Sequence, residues 1–427
     1  GSQRKGAQLT VYRAPRGTVD ILPADQAYWA HVQQRAAEVC RLYGYERIDT
    51  PVFEDYGLFA RADAGGTDLV EKEMYVFEDR SGQKLTLRAE NTAPVCRAYV
   101  EHGMGNLPQP VRLYYIGPTF RYERPQAGRY RQHHQFGCEA LGDPSASLDV
   151  EVIELALGFL TSLGLKQLSV LLNSIGCREC QPRYVEILRQ HYQGLVAQVC
   201  DDCRVRMVRN PLRLLDCKEP ACKTIADESP RISDYLCPAC QEHFHEVQAQ
   251  LRLLGVPFTL NHKLVRGLDY YTRTVFEILP QREGGQSAIV GGGRYDGLIE
   301  QIGGHPTPGV GFATGIERII LNLREQGLEA PPLSAPAVYL AHIGDAARAA
   351  SVTLAAALRS QHIGVLASTG AKSLKAQLRQ ANSLGVRYVV ILGDDEVQRG
   401  EAVVRNMAAN EQVTVTLAAL PAYFARA

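Results

Sequence analysis

The run Pro331-Pro332-Leu333-Ser334-Ala335-Pro336 constrains this chain more than any other feature of its sequence. A proline lacks a backbone N–H and fixes φ, so no helix or paired strand continues through three of them in six residues. The residues before the break fold apart from those after it. Beyond it, Val338–Ile343, Gly364–Ala367, Tyr388–Leu392 and Val413–Leu417 are strand-like, and helical runs at Ala346–Gln361 and Ser373–Leu384 separate the first three. That alternation predicts a small α/β domain over residues 335–427, with mainly parallel strands. Such layers host many activities, so the fold alone assigns none.

Residues 1–334 have a different pattern. Tyr28, Val32, Ala36, Val39 and Leu42 recur at helical spacing, predicting a long amphipathic helix over Ala24–Tyr43 that Gly44 ends. The next segment, Glu46 to Phe53, is extended, and its Pro51 suits an edge or an interface better than a central strand. Met74–Phe77 and Lys84–Leu87 read as a hairpin, Thr274–Ile278 and Ala288–Val290 as further strands, and Gly309–Phe312 precedes a helix carrying Ile316, Ile319, Ile320 and Leu323. Strands and helices in this uneven order predict an α+β domain with a mostly antiparallel sheet flanked by helices. Lysine plus arginine equals aspartate plus glutamate, 46 of each, so a nucleic-acid partner would need a local basic surface. No run is apolar enough to span a membrane and the N-terminus lacks a secretory pattern, which makes a cytoplasmic location the expectation.

Chemistry concentrates between Arg121 and Glu139. The apolar run Val111–Ile116 reads as a buried strand, with Gly117-Pro118 allowing a bend after it. Arg121, Arg124, Arg129 and Arg131 then face one acid, Glu123. Gln135 and Glu139, four apart, share one face of a strand. Guanidinium groups edging a floor with an amide and a carboxylate suit a polyanion beside a small polar molecule.

The stretch Phe120-Arg121-Tyr122-Glu123-Arg124-Pro125-Gln126, continuing to Gln135-Phe136-Gly137-Cys138-Glu139, resembles motif 2 of class II aminoacyl-tRNA synthetases, and in wording the histidyl-tRNA synthetase family. Two further runs resemble signatures of that family: Leu264-Val265-Arg266-Gly267-Leu268-Asp269-Tyr270-Tyr271-Thr272-Arg273-Thr274-Val275-Phe276-Glu277, and Gly291-Gly292-Gly293-Arg294-Tyr295-Asp296-Gly297-Leu298. Gly315-Ile316-Glu317-Arg318 resembles motif 3, and the long helix with the strand around Pro51 resembles motif 1, which implies a homodimer. The tail resembles an anticodon-binding domain.

The resemblance implies activation of L-histidine by ATP with Mg2+ and transfer of histidine to tRNA(His). It implies that Arg121 and Arg266 act at the α-phosphate and that Glu123, Arg129 and Arg318 join them around ATP. Glu90 and Thr92 would bind the amino group, although Ala89 stands where the family usually has proline. Gln135, Tyr270 and Tyr271 would complete the histidine pocket with Glu139, and Arg124 and Gln126 would touch the tRNA. A neutral imidazole has one donor and one acceptor nitrogen, which Glu139 and the Tyr271 hydroxyl can match. Two alternatives remain: a synthetase-like regulatory subunit of ATP phosphoribosyltransferase, which lacks the C-terminal domain, and a class II synthetase of another specificity.

Eight of the eleven cysteines fall between Cys177 and Cys240, in a helical insertion at about 177–255, spaced as three C-x-x-C hooks and Cys217-x4-Cys222. Two readings stand: free, partly buried thiols, or one or two structural Zn2+ ions with Cys200, Cys203, Cys237 and Cys240 as ligands. Cys40, Cys96 and Cys138 are isolated and read as core residues.

Overall fold

The computed structural model describes residues 12–62, 69–123, 130–280 and 288–425. The chain divides within the proline run into two compact units, Gly1–Pro331 and Pro332–Ala427. In chain order the strands of the first unit are β1 (Glu46–Arg47), β2 (Phe53–Asp55), β3 (Val76–Glu78), β4 (Lys84–Leu87), β5 (Val111–Phe120), β6 (Gln132–Leu141), β7 (Leu168–Ser174), β8 (Phe258–Leu260), β9 (Thr272–Pro280), β10 (Val290–Arg294) and β11 (Gly309–Gly315). Eight of them form one sheet in the order β1-β5-β6-β11-β10-β9-β7-β8. Its internal ladders are antiparallel, and only the end pairs β1–β5 and β7–β8 run parallel.

Side chains alternate across this sheet and give it two different faces. Phe136 and Cys138 of β6, Phe312 of β11, Val290 of β10 and Phe276 and Ile278 of β9 share one buried core with Val32, Ala36 and Val39 of the helix Gln26–Leu42. The helix Ala146–Ser162 adds Val152, Ile153, Phe159 and Leu160 to the same core. It is apolar on most sides because the helix Pro238–Leu253 adds Val247 and Leu251 to that core. The opposite face carries Gln135 and Glu139 on β6, level with Gly315 and Gly311 of β11.

β5 runs straight through Gly117-Pro118 to Phe120 instead of bending there. The Phe120 N–H points away from β6 and donates to Arg88 O at 2.9 Å. By alternation the missing N–H of Pro118 belongs to that same outer edge, so the proline costs the β5–β6 ladder nothing. The Arg88 side chain lies along this edge, donating from Nε to Pro118 O at 2.8 Å and from Nη1 to Thr50 O at 2.7 Å.

The segment around Pro51 connects two sheets: β1 joins β5, and β2 joins a second, three-stranded sheet ordered β2-β4-β3. β3 and β4 form the expected antiparallel hairpin. The C-terminal unit contains β12 (Val338–Ile343), β13 (Val365–Ala367), β14 (Tyr388–Gly393), β15 (Glu401–Asn406) and β16 (Glu411–Thr416), in the order β13-β12-β14-β15-β16. The two β12 ladders are parallel and the other two antiparallel, so this sheet is mixed where parallel strands were expected. Among the described residues no helix is long and apolar enough to cross a membrane.

Candidate active site

The polar face of the large sheet floors a cavity of about 480 Å³, within the range that encloses small-molecule ligands. Glu90, Thr92, Gln135, Tyr270 and Tyr271 line it, as do Arg121, Glu123, Arg266 and Arg318. Residues more than 200 positions apart therefore meet in one place. Arg124, Gln126 and Arg129 lie outside the described residues.

Glu90 precedes the helix Thr92–Glu101, and its carboxylate accepts from the backbone N–H groups of Thr92 and, at 3.0 Å, Ala93. It satisfies two first-turn donors and sits where the helix dipole favours negative charge. Burial nevertheless raises its pKa, those backbone bonds opposing the shift. Asn91, next to it, donates to the Gln135 side-chain oxygen at 3.1 Å and so fixes the amide.

Glu139 is buried beneath the cavity and is not one of its lining residues. Three hydroxyls converge on it: Thr92 at 2.7 Å and Tyr115 at 3.2 Å on one oxygen, and Tyr295 on the other. Burial pushes its pKa up to about 8, against the three hydroxyl bonds and with help from the neighbouring Glu90. Thr92 and Tyr115 line the cavity, so Glu139 reaches it through their hydroxyls. Direct acceptance from an imidazole would require one of them to turn away. Tyr271 stacks at a tilt on Tyr270, ring centroids 4.9 Å apart, and meets the edge of Tyr295 at 6.4 Å.

Arg121 donates from Nε to Ala89 O at 2.8 Å, and its tip lies 3.9 Å from Glu123. Arg266 pairs with Glu277, a β9 residue on the polar face. Its path depends on Gly291: a Cβ there would lie 2.1 Å from one guanidinium nitrogen of Arg266. Gly311 does the same for Glu139, since a Cβ would sit 2.0 Å from its carboxylate. Arg318 donates to Ala288 O at 2.6 Å.

Several site residues were not among those expected from the sequence. Tyr115 and Tyr295 hold Glu139, and only the second stands in a recognised signature. Glu317 accepts from the backbone N–H of His134 and lies 2.9 Å from its Nδ1, while Trp29 meets that ring edge-on at 4.8 Å. His133 lines the cavity, and burial, reinforced by Arg121, lowers its pKa to about 3, which keeps it neutral. Arg294 is structural: fully buried, it bonds Asp149, the carbonyls of Asp143 and Ser145, and Asp296.

The eight insertion cysteines gather in two groups, Cys177 with Cys180, Cys237 and Cys240, and Cys200 with Cys203, Cys217 and Cys222. The expected set Cys200, Cys203, Cys237 and Cys240 is therefore split, because each hook's partner is set by how the insertion's helices pack.

An antiparallel sheet flanked by helices, with arginines and a carboxylate–amide floor on its open face, defines a class II aminoacyl-tRNA synthetase core followed by a separate α/β unit. Residues 17–319 match the family model for histidyl-tRNA synthetase and 337–426 that for the anticodon-binding domain. The histidine–tRNA ligase of Dehalococcoides mccartyi is 58% identical over 95% of this chain and 97% of its own length. That of Moorella thermoacetica is 49% identical over 96% and 97%. The crystal structure of the apo histidyl-tRNA synthetase of S. aureus superposes with a TM-score of 0.82 at 37% identity, covering 97% of this chain and all of that one. The chain belongs to the histidyl-tRNA synthetase family.

Proposed function

We propose that the protein is a histidine–tRNA ligase, activating L-histidine with Mg-ATP to histidyl-adenylate and pyrophosphate and then transferring histidine to tRNA(His). The convergence of Arg121, Arg266 and Arg318 on the cavity that also contains Glu90, Thr92 and Gln135 carries this reading. A carboxylate attacking the α-phosphate brings two anions together while charge grows on the phosphoryl oxygens, so positioning and fixed cations dominate the barrier. In this reading Arg121 and Arg266 flank the α-phosphate and Arg318 holds the nucleotide beyond it. Glu123 and Glu277 sit at the cationic tips of Arg121 and Arg266. Both acids are oxygen donors of the kind magnesium takes, and they would hold the ion that accompanies the nucleotide.

Glu90 and Thr92 receive the histidine amino group, with Gln135 beside them. The imidazole lies toward Tyr270 and Tyr271, above the hydroxyls that Glu139 organises. A pocket that hydrogen-bonds its substrate leaves its own polar groups unpaired with an analogue, which rejects that analogue by roughly 10⁴ to 10⁵.

Arg129 as an ATP contact, and Arg124 and Gln126 as tRNA contacts, complete the proposal, as does a cytoplasmic location. We also propose a homodimer. Phe53 and Phe77 contact one another with centroids 6.5 Å apart on the three-stranded sheet, and both are about half exposed, 50% and 42%, as a surface kept for a second copy would be. Structural zinc belongs to the same reading, on the strength of the gathered thiols.

Amino-acid-dependent ATP–pyrophosphate exchange tests the function: exchange with histidine alone is expected, and none with any amino acid would favour the regulatory-subunit alternative. Arg266→Ala is expected to slow exchange sharply while histidine binding by calorimetry persists. Near-normal exchange would remove Arg266 from the chemistry.

A further inference from the structure

We infer that the insertion contains two separate four-thiolate zinc sites, nested one within the other: an outer site of Cys177, Cys180, Cys237 and Cys240 around an inner one of Cys200, Cys203, Cys217 and Cys222. This rests on the zinc reading above and not on the synthetase chemistry. In each group the four sulfurs lie within 4.8 Å of one another. Zinc binds thiolate at ~2.3 Å in a tetrahedron, whose edges are then ~3.8 Å long. Cys177 and Cys180 are 3.9 Å apart, Cys177 and Cys237 3.8 Å, and Cys200 and Cys217 3.8 Å.

Packed thiols also touch, as Cys40 and Cys138 do at 3.6 Å in the core. That contact is a single pair, whereas each insertion group closes on four sulfurs. Backbone donors add a second argument. The Cys177 N–H points at the Cys180 sulfur and the Cys200 N–H at that of Cys222, each at 3.3 Å. N–H donors aimed at sulfur stabilise the charged thiolate. Four soft donors with no carboxylate or imidazole among them select zinc over hard cations, and sulfurs this close fit one ion, not a polynuclear cluster.

The nesting comes from the fold. Cys177 and Cys180 lie just past β7, while Cys237 and Cys240 stand at the start of the helix Pro238–Leu253, which leads into β8. β7 and β8 are neighbours in the sheet. The outer site thus ties the insertion's exit from the sheet to its return. The inner site joins the helices Asp201–Arg209 and Pro220–Asp227 inside the loop that the outer one closes. Around both, Tyr184, Leu188, Tyr192, Leu214 and Ile232 form a core separate from that beneath the large sheet.

Zinc content of the full chain, purified without chelator and measured by mass spectrometry, is expected at two ions per chain. Changing all four outer cysteines to serine is expected to leave one ion. Changing the crossed set Cys200, Cys203, Cys237 and Cys240 to serine is expected to leave none. One ion retained by the crossed variant would overturn the partition, and none, or iron, in the wild type would overturn the inference.

If serine variants fail to fold, titration of the intact wild type with an organomercurial decides instead: two zinc ions released as eight thiols react, with cobalt substitution giving the spectrum of tetrahedral sulfur ligation. Release of fewer than two ions, or octahedral cobalt bands, would count against it. Histidine-dependent exchange on the same preparations reads the synthetase assignment independently. Exchange without zinc sinks only the metal sites, and two zinc ions without exchange sink only the enzyme.

Discussion

Replacing Gly291 by alanine tests how the second family signature serves the site. Gly291 is paired within β10 and its φ is not positive, so alanine meets no backbone strain. Its methyl group does meet Arg266, 2.1 Å from Nη2 and 2.5 Å from Cζ. Comfortable carbon contacts begin near ~3.5 Å, so the guanidinium must move by about 1 Å or more. A misplacement of about 1 Å can cost ~10²-fold, as can loss of one fixed charge-stabilising group. We expect kcat/KM for histidine-dependent exchange to fall about 100-fold in Gly291→Ala, ~2.7 kcal/mol of transition-state stabilisation. The calorimetric affinity for histidine should stay within about threefold. Because both changes act on one guanidinium, Gly291→Ala/Arg266→Ala should be no slower than Arg266→Ala alone. Exchange by Gly291→Ala within threefold of wild type, or penalties that multiply in the double variant, would refute the reasoning.

Glu139 carries a pH signature. Its pKa in the folded protein, about 8, lies above the ordinary 4.5, so its protonated form favours folding. That contribution is complete below about pH 4.5 and is lost as the pH rises through 8, a ceiling of about 5 kcal/mol at 1.36 per pKa unit. Glu139→Gln should therefore flatten the decline in melting temperature between about pH 5 and pH 9, and parallel profiles would show that Glu139 does not titrate there. Arg294→Met leaves buried Asp149 with only His243, 3.4 Å away, beside it and should cost about 3–5 kcal/mol, seen as a lower melting temperature; an unchanged one would mean the ion pair contributes nothing net. Phe53→Glu puts charge on the exposed pair of rings and should convert a dimer to monomer by light scattering, whereas a persistent dimer would move the interface elsewhere.

The sequence revealed those parts that depend on local pattern. The period of Tyr28, Val32, Ala36 and Val39 located the first long helix, observed as Gln26–Leu42, and the even spacing of Gln135 and Glu139 located the polar face of β6. The continuation of β5 through Pro118 depends on which side of the strand lacks a partner, and one strand's composition does not contain that information. β15 is not marked by local pattern for a similar reason: Glu401-Ala-Val-Val-Arg-Asn is short and flanked by charge, and its place comes from pairing with both β14 and β16. The three C-x-x-C hooks are alike in spacing, so their partners emerge only from the packed helices. In the sequence Tyr115 is one member of the apolar run Val111–Ile116, and its hydroxyl finds Glu139 only after β5 and β6 pair.

The division of β6 between cavity and core has a consequence for how this chain can vary. His133, Gln135 and Glu139 share a strand with Phe136 and Cys138, which pack under the sheet. Inserting or deleting one residue midway along it would send the carboxylate or the amide into hydrocarbon and a phenyl ring into the substrate cavity. Substitutions can be absorbed one position at a time, but a change of length cannot. Relatives that differ in size must therefore place their gained or lost residues outside Gln132–Leu141, which makes this strand a fixed ruler for aligning them.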